Sequence, residues 1–206
     1  MTFHVPAAVI VIAGAVAAHA QRPVASPPAG SVQMSAGPAY TAAGELIRPD
    51  NFREWIFVTS GLGMTYNQPT GASRAPSFTN VYVNPAAYHA FVKSGQWPDK
   101  TMFILEVRAS TSEGSINKGG QFQAQRLAVE VHVKDKRYKS GWAFFNFRGE
   151  APGIEFAQTS ACNVCHEKNA AVDTTFVQFY PTLLPIAVEN KTLSPAYLEA
   201  QKVAVK

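Results

Sequence analysis

The pentapeptide CNVCH at residues 162–166 contains the only two cysteines of the 206-residue chain, and a histidine directly follows the second one. This C-x-x-C-H spacing is the attachment signature of a c-type haem. On one helical turn both thiols can reach the two vinyl groups at one edge of a porphyrin, while the histidine points its imidazole at the iron. The sequence therefore predicts a single covalent haem c, bound through Cys162 and Cys165, with His166 as the iron ligand.

Other uses of paired cysteines fit the sequence less well. A thioredoxin-like C-x-x-C motif requires an upstream βαβ pattern, which is missing here, and a zinc site requires two further Cys or His ligands. Apart from the motif and the first 20 residues, the only histidines are His89 and His132. A stabilising disulfide is common in exported chains, but the adjacent histidine favours the haem.

The N-terminal residues 1–20 predict a secretory signal peptide, because a central apolar run ends in an A-x-A cleavage pattern before Gln21. This run is shorter than the roughly 20 residues of a membrane-spanning helix, so a retained anchor is the less favoured alternative. A cleaved leader implies export to a periplasm. Residues 21–41 are rich in Pro, Ala, Ser and Gly and predict a flexible linker, which leaves residues 42–206 as the folded domain.

The number and distribution of charged residues argue against nucleic acid as a partner. The chain has 18 Lys and Arg against 14 Asp and Glu, which gives a formal net charge of +4, and its basic residues are scattered. Nucleic-acid-binding domains concentrate basic residues in a patch or stripe. With 47% hydrophobic residues, the chain can instead bury a sizeable core.

Segments rich in β-branched and aromatic residues predict four strands, at residues 78–83, 101–109, 121–134 and 141–148. Helices are predicted after the Asn-Pro pair at 84–85, through the motif over 162–172, and from the Ser-Pro pair at 194–195. A further short helix is predicted around residues 52–57, before a glycine-containing segment. The fold class is α+β, an antiparallel sheet with helices packed at its faces.

The strand at 121–134 alternates between two kinds of side chain, which therefore lie on opposite faces. Its apolar face contains Leu127, Val129, Val131 and Val133. The other face contains Glu130 and His132, which either point to solvent, as on many antiparallel sheets, or line a polar pocket.

The chain resembles the cytochrome P-460 family, which also contains cytochrome c′-β, over residues 44–184. The matching stretches are NFREW at 51–55, VYVNP at 81–85, VHVKD at 131–135, GWAF at 141–144 and CHEKNA at 165–170. The resemblance implies an antiparallel sheet with packed helices, a haem c on the C-terminal C-x-x-C-H helix, and usually an open distal site. Dimers occur in this family, so a homodimer is a further expectation.

One position departs from the family members that oxidise hydroxylamine, which carry a lysine covalently attached to the haem edge. Leu105 occupies that place and has no nucleophilic nitrogen, while Lys100 and Lys118 lie in predicted turns. The sequence is therefore more similar to the cytochrome c′-β branch, in which apolar side chains crowd the distal face and nitric oxide is the expected ligand. Phe103 shares the strand face of Leu105 and is the second candidate for this apolar cap.

The sequence is compatible with three functions. The first is a haem c protein that binds nitric oxide or another small diatomic or nitrogenous ligand, or passes electrons to a redox partner protein. The second is a hydroxylamine oxidoreductase in which Glu130, matching a pocket carboxylate of the family, accepts a proton. The third is a six-coordinate electron carrier with Met64 or Met102 as the second iron ligand.

Overall fold

The structure is a computed structural model of the chain and describes residues 37–65, 75–149 and 151–204. The predicted signal peptide and most of the predicted linker lie outside the described residues. Within these ranges no helix combines the length and apolar character needed to cross a membrane.

The described chain forms one six-stranded antiparallel sheet in which each strand pairs with its neighbours in chain order. The strands are β1 (Ile56–Leu62), β2 (Phe78–Val83), β3 (Met102–Thr111), β4 (Phe122–Lys134), β5 (Trp142–Phe147) and β6 (Ile154–Glu155). Four α-helices accompany the sheet: α1 (Pro85–Ser94), α2 (Ala161–Asn169), α3 (Leu184–Glu189) and α4 (Pro195–Ala204). The α+β class and the antiparallel sheet are confirmed.

Helix α1 shows how local sequence fixes an element and joins it to the sheet. Pro85 occupies the first helical position, and Gly95 ends the helix with φ 67°, a left-handed conformation that glycine adopts without strain. Asn84 precedes the helix, but its side chain does not cap it. Its Oδ1 instead accepts from the Met102 N–H at 2.8 Å, which ties the helix start to β3.

The helix predicted around residues 52–57 is wrong. Only Phe52–Glu54 form a short 3-10 turn, and the chain continues as the edge strand β1. The aromatic and β-branched residues of β1 favour a strand, and Val58 is buried against the core. The helix predicted over 162–172 is confirmed but shorter, because α2 ends at Asn169.

The sheet has an apolar cluster on each face. One cluster joins the sheet to α1, α3 and the segment after α2, and contains Val83, Phe91, Trp97, Phe103, Leu183 and Ala187. The other is covered by the N-terminal segment and contains Leu46, Phe52, Trp55, Met102, Ile104 and Val131. The helices therefore pack on one face of the sheet, and a segment that contains no α-helix covers the other face.

The register of β3 and β4 decides which side chains face α2. Leu105 lies opposite Glu130, and Phe103 lies opposite His132. The predicted alternation of β4 is confirmed, since Val129, Val131 and Val133 are buried in the opposite cluster. Leu127 is an exception and is 50% exposed, because the pairing shifts register beside it.

We expect Phe91→Ala to lower the free energy of unfolding by about 3–5 kcal/mol, because it removes a fully buried ring and leaves a cavity. The Phe91 ring is stacked on Trp97 with 4.0 Å between centroids. Phe57→Ala is the matched control, since this ring is 53% exposed, and we expect a loss below about 1 kcal/mol. Guanidinium unfolding measures both, and equal losses would contradict this assignment of the core.

Candidate functional site

A cavity of about 530 Å³ lies between α2 and the sheet. Cofactor sites typically measure about 300–1,000 Å³ and are lined mainly by apolar side chains. The cavity brings together every site residue expected from the sequence, namely Phe103, Leu105, Glu130, Cys162, Cys165 and His166.

Helix α2 places the two cysteines side by side. Ser160 caps the helix, with its Oγ accepting from the Asn163 N–H, and the buried Asn163 side chain donates to the Ala157 carbonyl at 3.0 Å. Cys162 and Cys165 are three residues apart and therefore share one helix face. Both are free, half-buried thiols rather than a disulfide.

His166 holds its ring in one defined tautomer. Its Nδ1 lies 2.7 Å from the Thr174 carbonyl oxygen, and because a carbonyl only accepts, Nδ1 carries the proton and Nε2 keeps its lone pair. Burial lowers the pKa of His166, although the bond to Thr174 opposes this shift. The buried ring is thus neutral at neutral pH, the form that binds a metal.

Aromatic side chains surround the His166 imidazole. The ring centroids of Phe144 and Phe176 lie 4.5 and 4.2 Å from that of His166. His132 stacks on Phe144 with 3.8 Å between centroids and meets His166 edge-on at 5.1 Å. Burial and the neighbouring His166 hold the pKa of His132 well below its usual value, so both imidazoles are neutral.

The Thr174 carbonyl belongs to a tight turn over residues 172–175, closed by backbone hydrogen bonds between Val172 and Thr175. Asp173 and Thr174 have φ values of 45° and 59°. Left-handed conformations of non-glycine residues cost on the order of 1–3 kcal/mol each. Sequence reasoning missed this turn, because no glycine marks it.

Leu105 lies on the cavity wall formed by the sheet, with Val81 and Glu130 as its cross-strand partners. None of the described residues lining the cavity is a lysine or an arginine. Lys100 lies in a turn, as predicted, and its ammonium donates to Asp135 at 2.7 Å. Phe103 lines the cavity and also packs edge-on against Trp97 in the core, 4.8 Å between centroids.

Glu130 is the one carboxylate among the described residues that line the cavity. Burial raises its pKa above the ordinary value, and no described residue forms a hydrogen bond or ion pair with its side chain. The two methionines separate: Met64 lines the cavity, whereas Met102 is buried in the opposite core. Of these two methionines, only Met64 lies where it could bind an iron in the cavity.

The residues present fit a haem c. Two free thiols on one helical turn, a neutral imidazole with an available Nε2 and an apolar cavity of suitable volume form a matching donor set. The described residues contain no group of three or more His, Cys, Asp or Glu side chains placed to hold a metal ion by themselves. The zinc alternative thus finds no further ligands in that part of the chain.

Comparison with known proteins identifies the same family as the sequence motifs. A family model described as Cytochrome P460 matches residues 49–177, from the first 3-10 turn through β1–β6 and α2 into the second 3-10 turn. No curated protein matches the chain. Because the matched range covers more than half of the sequence and includes every site residue expected from the sequence, the chain belongs to the cytochrome P460 family.

Proposed function

We propose that this family member is an exported mono-haem c-type cytochrome whose largely apolar pocket binds nitric oxide or another small ligand, or passes single electrons to a partner protein. The observation that supports it is Leu105 on the cavity wall facing α2, in a lining without lysine or arginine among the described residues. Cys162 and Cys165 would form the two thioethers, and His166 would bind the iron.

The haem would supply an iron that binds a diatomic ligand or takes up one electron. The chain supplies the surroundings. Leu105 and Val81 offer no hydrogen-bond donor, which disfavours ligands that need polar support, such as dioxygen, and tolerates nitric oxide and carbon monoxide. Phe144 and Phe176 keep water from the His166 ring.

We expect the reduced protein to change its Soret band when carbon monoxide or nitric oxide is added. Leu105→Ala should speed carbon monoxide association by roughly tenfold, equivalent to about 1.4 kcal/mol of barrier, because it removes bulk from the cavity wall. Leu127→Ala is the matched control, since Leu127 is half exposed and does not line the cavity. A Soret band unchanged by either gas would end the gas-binding proposal.

We expect Cys162→Ala and Cys165→Ala each to reduce covalent haem content, because each removes one thioether. Val164→Ala is the control, since Val164 lies between them and is 53% exposed. Haem-stained denaturing gels and intact mass measure the attachment. The same mass tests the proposed leader, as a chain cleaved after residue 20 begins at Gln21. A single-cysteine variant with normal haem content would contradict the thioether assignment.

A second candidate, a hydroxylamine oxidoreductase, is favoured by Glu130, which faces the cavity without a partner among the described residues. A carboxyl group acts as a proton acceptor only when ionised, and burial moves the pKa of Glu130 upward. The rate of a reaction that needs this acceptor therefore rises with pH through that raised pKa.

Any hydroxylamine oxidation can be followed with an artificial electron acceptor. We expect its rate to fall by about 10²–10⁴-fold in Glu130→Gln. The rate of this variant should also no longer rise with pH in the acidic range. Glu167→Gln is the control, because this carboxylate is exposed on α2 and lies outside the cavity lining. A wild-type rate no higher than that of free haem would remove this candidate.

The third candidate, a six-coordinate electron carrier, depends on Met64, which lines the cavity and is 41% exposed. Optical spectra of the oxidised and reduced protein separate most of these alternatives, because they report the ligation and spin state of the iron. A high-spin resting spectrum without a sulfur-to-iron band excludes Met64 as a ligand, and a red-shifted haem band would reveal a cross-link despite Leu105.

A further inference from the structure

The turn over residues 172–175 has a backbone conformation that its own residues disfavour. Thr174 is β-branched and has φ 59°, which for such a residue is a genuine outlier. Conformations of this kind persist only where the surrounding structure imposes them, and they cluster at functional sites. The result of this one is a carbonyl oxygen placed 2.7 Å from Nδ1 of His166.

Two neighbouring strands hold the turn through Asp173. The Trp142 indole N–H donates to one carboxylate oxygen at 3.1 Å, and the Lys134 ammonium forms an ion pair with the other. Lys134 and Trp142 are themselves paired across β4 and β5. Lys134 also donates to the Trp97 carbonyl at 2.8 Å, which fixes the ammonium at the end of the sheet.

We propose that Lys134, Trp142 and Asp173 form a positioning clamp that fixes the Thr174 carbonyl against Nδ1 of His166, and so sets how strongly this imidazole donates to the iron. The proposal rests on the proposed ligation of iron by His166. The three residues touch neither iron nor substrate in this scheme; they act through the turn.

The physical link is the hydrogen bond that Nδ1–H of His166 donates to the Thr174 carbonyl. When Nδ1–H donates to a well-placed acceptor, the imidazole becomes more basic at Nε2. A more basic ligand stabilises the oxidised iron and lowers the reduction potential. If the clamp is loosened, we therefore expect a higher reduction potential and a weaker bond between the iron and His166.

The decisive variant is Trp142→Phe, because it removes one indole N–H without changing the charge and keeps an aromatic ring at that position. Trp55→Phe is its matched control, since the buried Trp55 indole N–H has no hydrogen-bond partner among the described residues and lies in the opposite core. Both are prepared as haem-loaded protein and compared with wild type.

At a fixed applied potential, we expect the ratio of reduced to oxidised protein to rise about 3- to 10-fold in Trp142→Phe. This corresponds to about 30–60 mV, at 59 mV per tenfold for one electron. The iron–histidine stretching band in the resonance Raman spectrum of the reduced protein should move to lower frequency. Trp55→Phe should leave both unchanged.

A second pair of variants separates the clamp from simple charge effects and decides the question if Trp142→Phe does not mature. Lys134→Met and Lys168→Met each remove one positive charge, but Lys168 is exposed on α2 and forms no hydrogen bond or ion pair with the described residues of the turn. The loss of a positive charge by itself lowers the reduction potential in both variants. The clamp predicts a potential in Lys134→Met clearly above that in Lys168→Met, with a shifted iron–histidine band.

The outcomes distinguish this proposal from the proposed function. A wild-type protein without covalent haem or without histidine ligation overturns both. Normal wild-type haem, with Trp142→Phe matching Trp55→Phe in potential and Raman band, overturns only the clamp. A change confined to melting temperature or haem yield likewise overturns it, because a merely structural role predicts that pattern.

Discussion

The antiparallel pairing of β3 with β4 is the constraint on which the site depends. It sets Leu105 against Glu130 and Phe103 against His132, with all four side chains toward α2. A shift by one residue would turn these side chains to the opposite face and bring Ile104 and Val131 to the cavity. The packing on the two faces opposes such a shift. Strand β3 buries Phe103 in one apolar cluster and Ile104 in the other, and β4 buries Val131 on one face and His132 on the other.

Behind Leu105, the sheet contains a fully buried charge. The Glu106 side chain is 0% exposed and is held by ion pairs with Arg53 and Arg108. Loss of both arginines would leave this buried carboxylate uncompensated, which is strongly destabilising. The pairing restricts β3 further, since Glu106 must stay on the face opposite Leu105.

Local sequence patterns could predict much of this fold. The proline and glycine flanking α1, the alternation in β4 and the C-x-x-C-H spacing each have a physical meaning within a few residues, and the structure contains α1, β4 and α2 accordingly. Strand β1 was predicted wrongly as part of a helix. Its aromatic and β-branched residues are compatible with a strand, but the pairing that establishes it is with β2, about 20 residues later in the chain.

The candidate site likewise contains residues that the sequence could predict and residues that it could not. Residues on α2 and on alternating strand positions were found from the sequence, whereas the turn at Asp173 and Thr174 was not. The side chains that hold Asp173 are Lys134 and Trp142, about 30–40 residues earlier in the chain, and no local signal indicates the left-handed backbone of the turn. The placement of Met102 away from the cavity likewise follows from strand register rather than from residue type.

The pairing of Leu105 with Glu130 joins two properties that look independent. An amine at position 105 would stand beside the carboxyl group and favour its ionised form. With leucine there, burial acts on Glu130 without a cation on its cross-strand partner, and its pKa moves upward. Leucine at position 105 thus offers no reactive nitrogen and leaves Glu130 as the one carboxyl group on the described part of the cavity wall. The pH, rather than an ion pair, then sets the charge of that group.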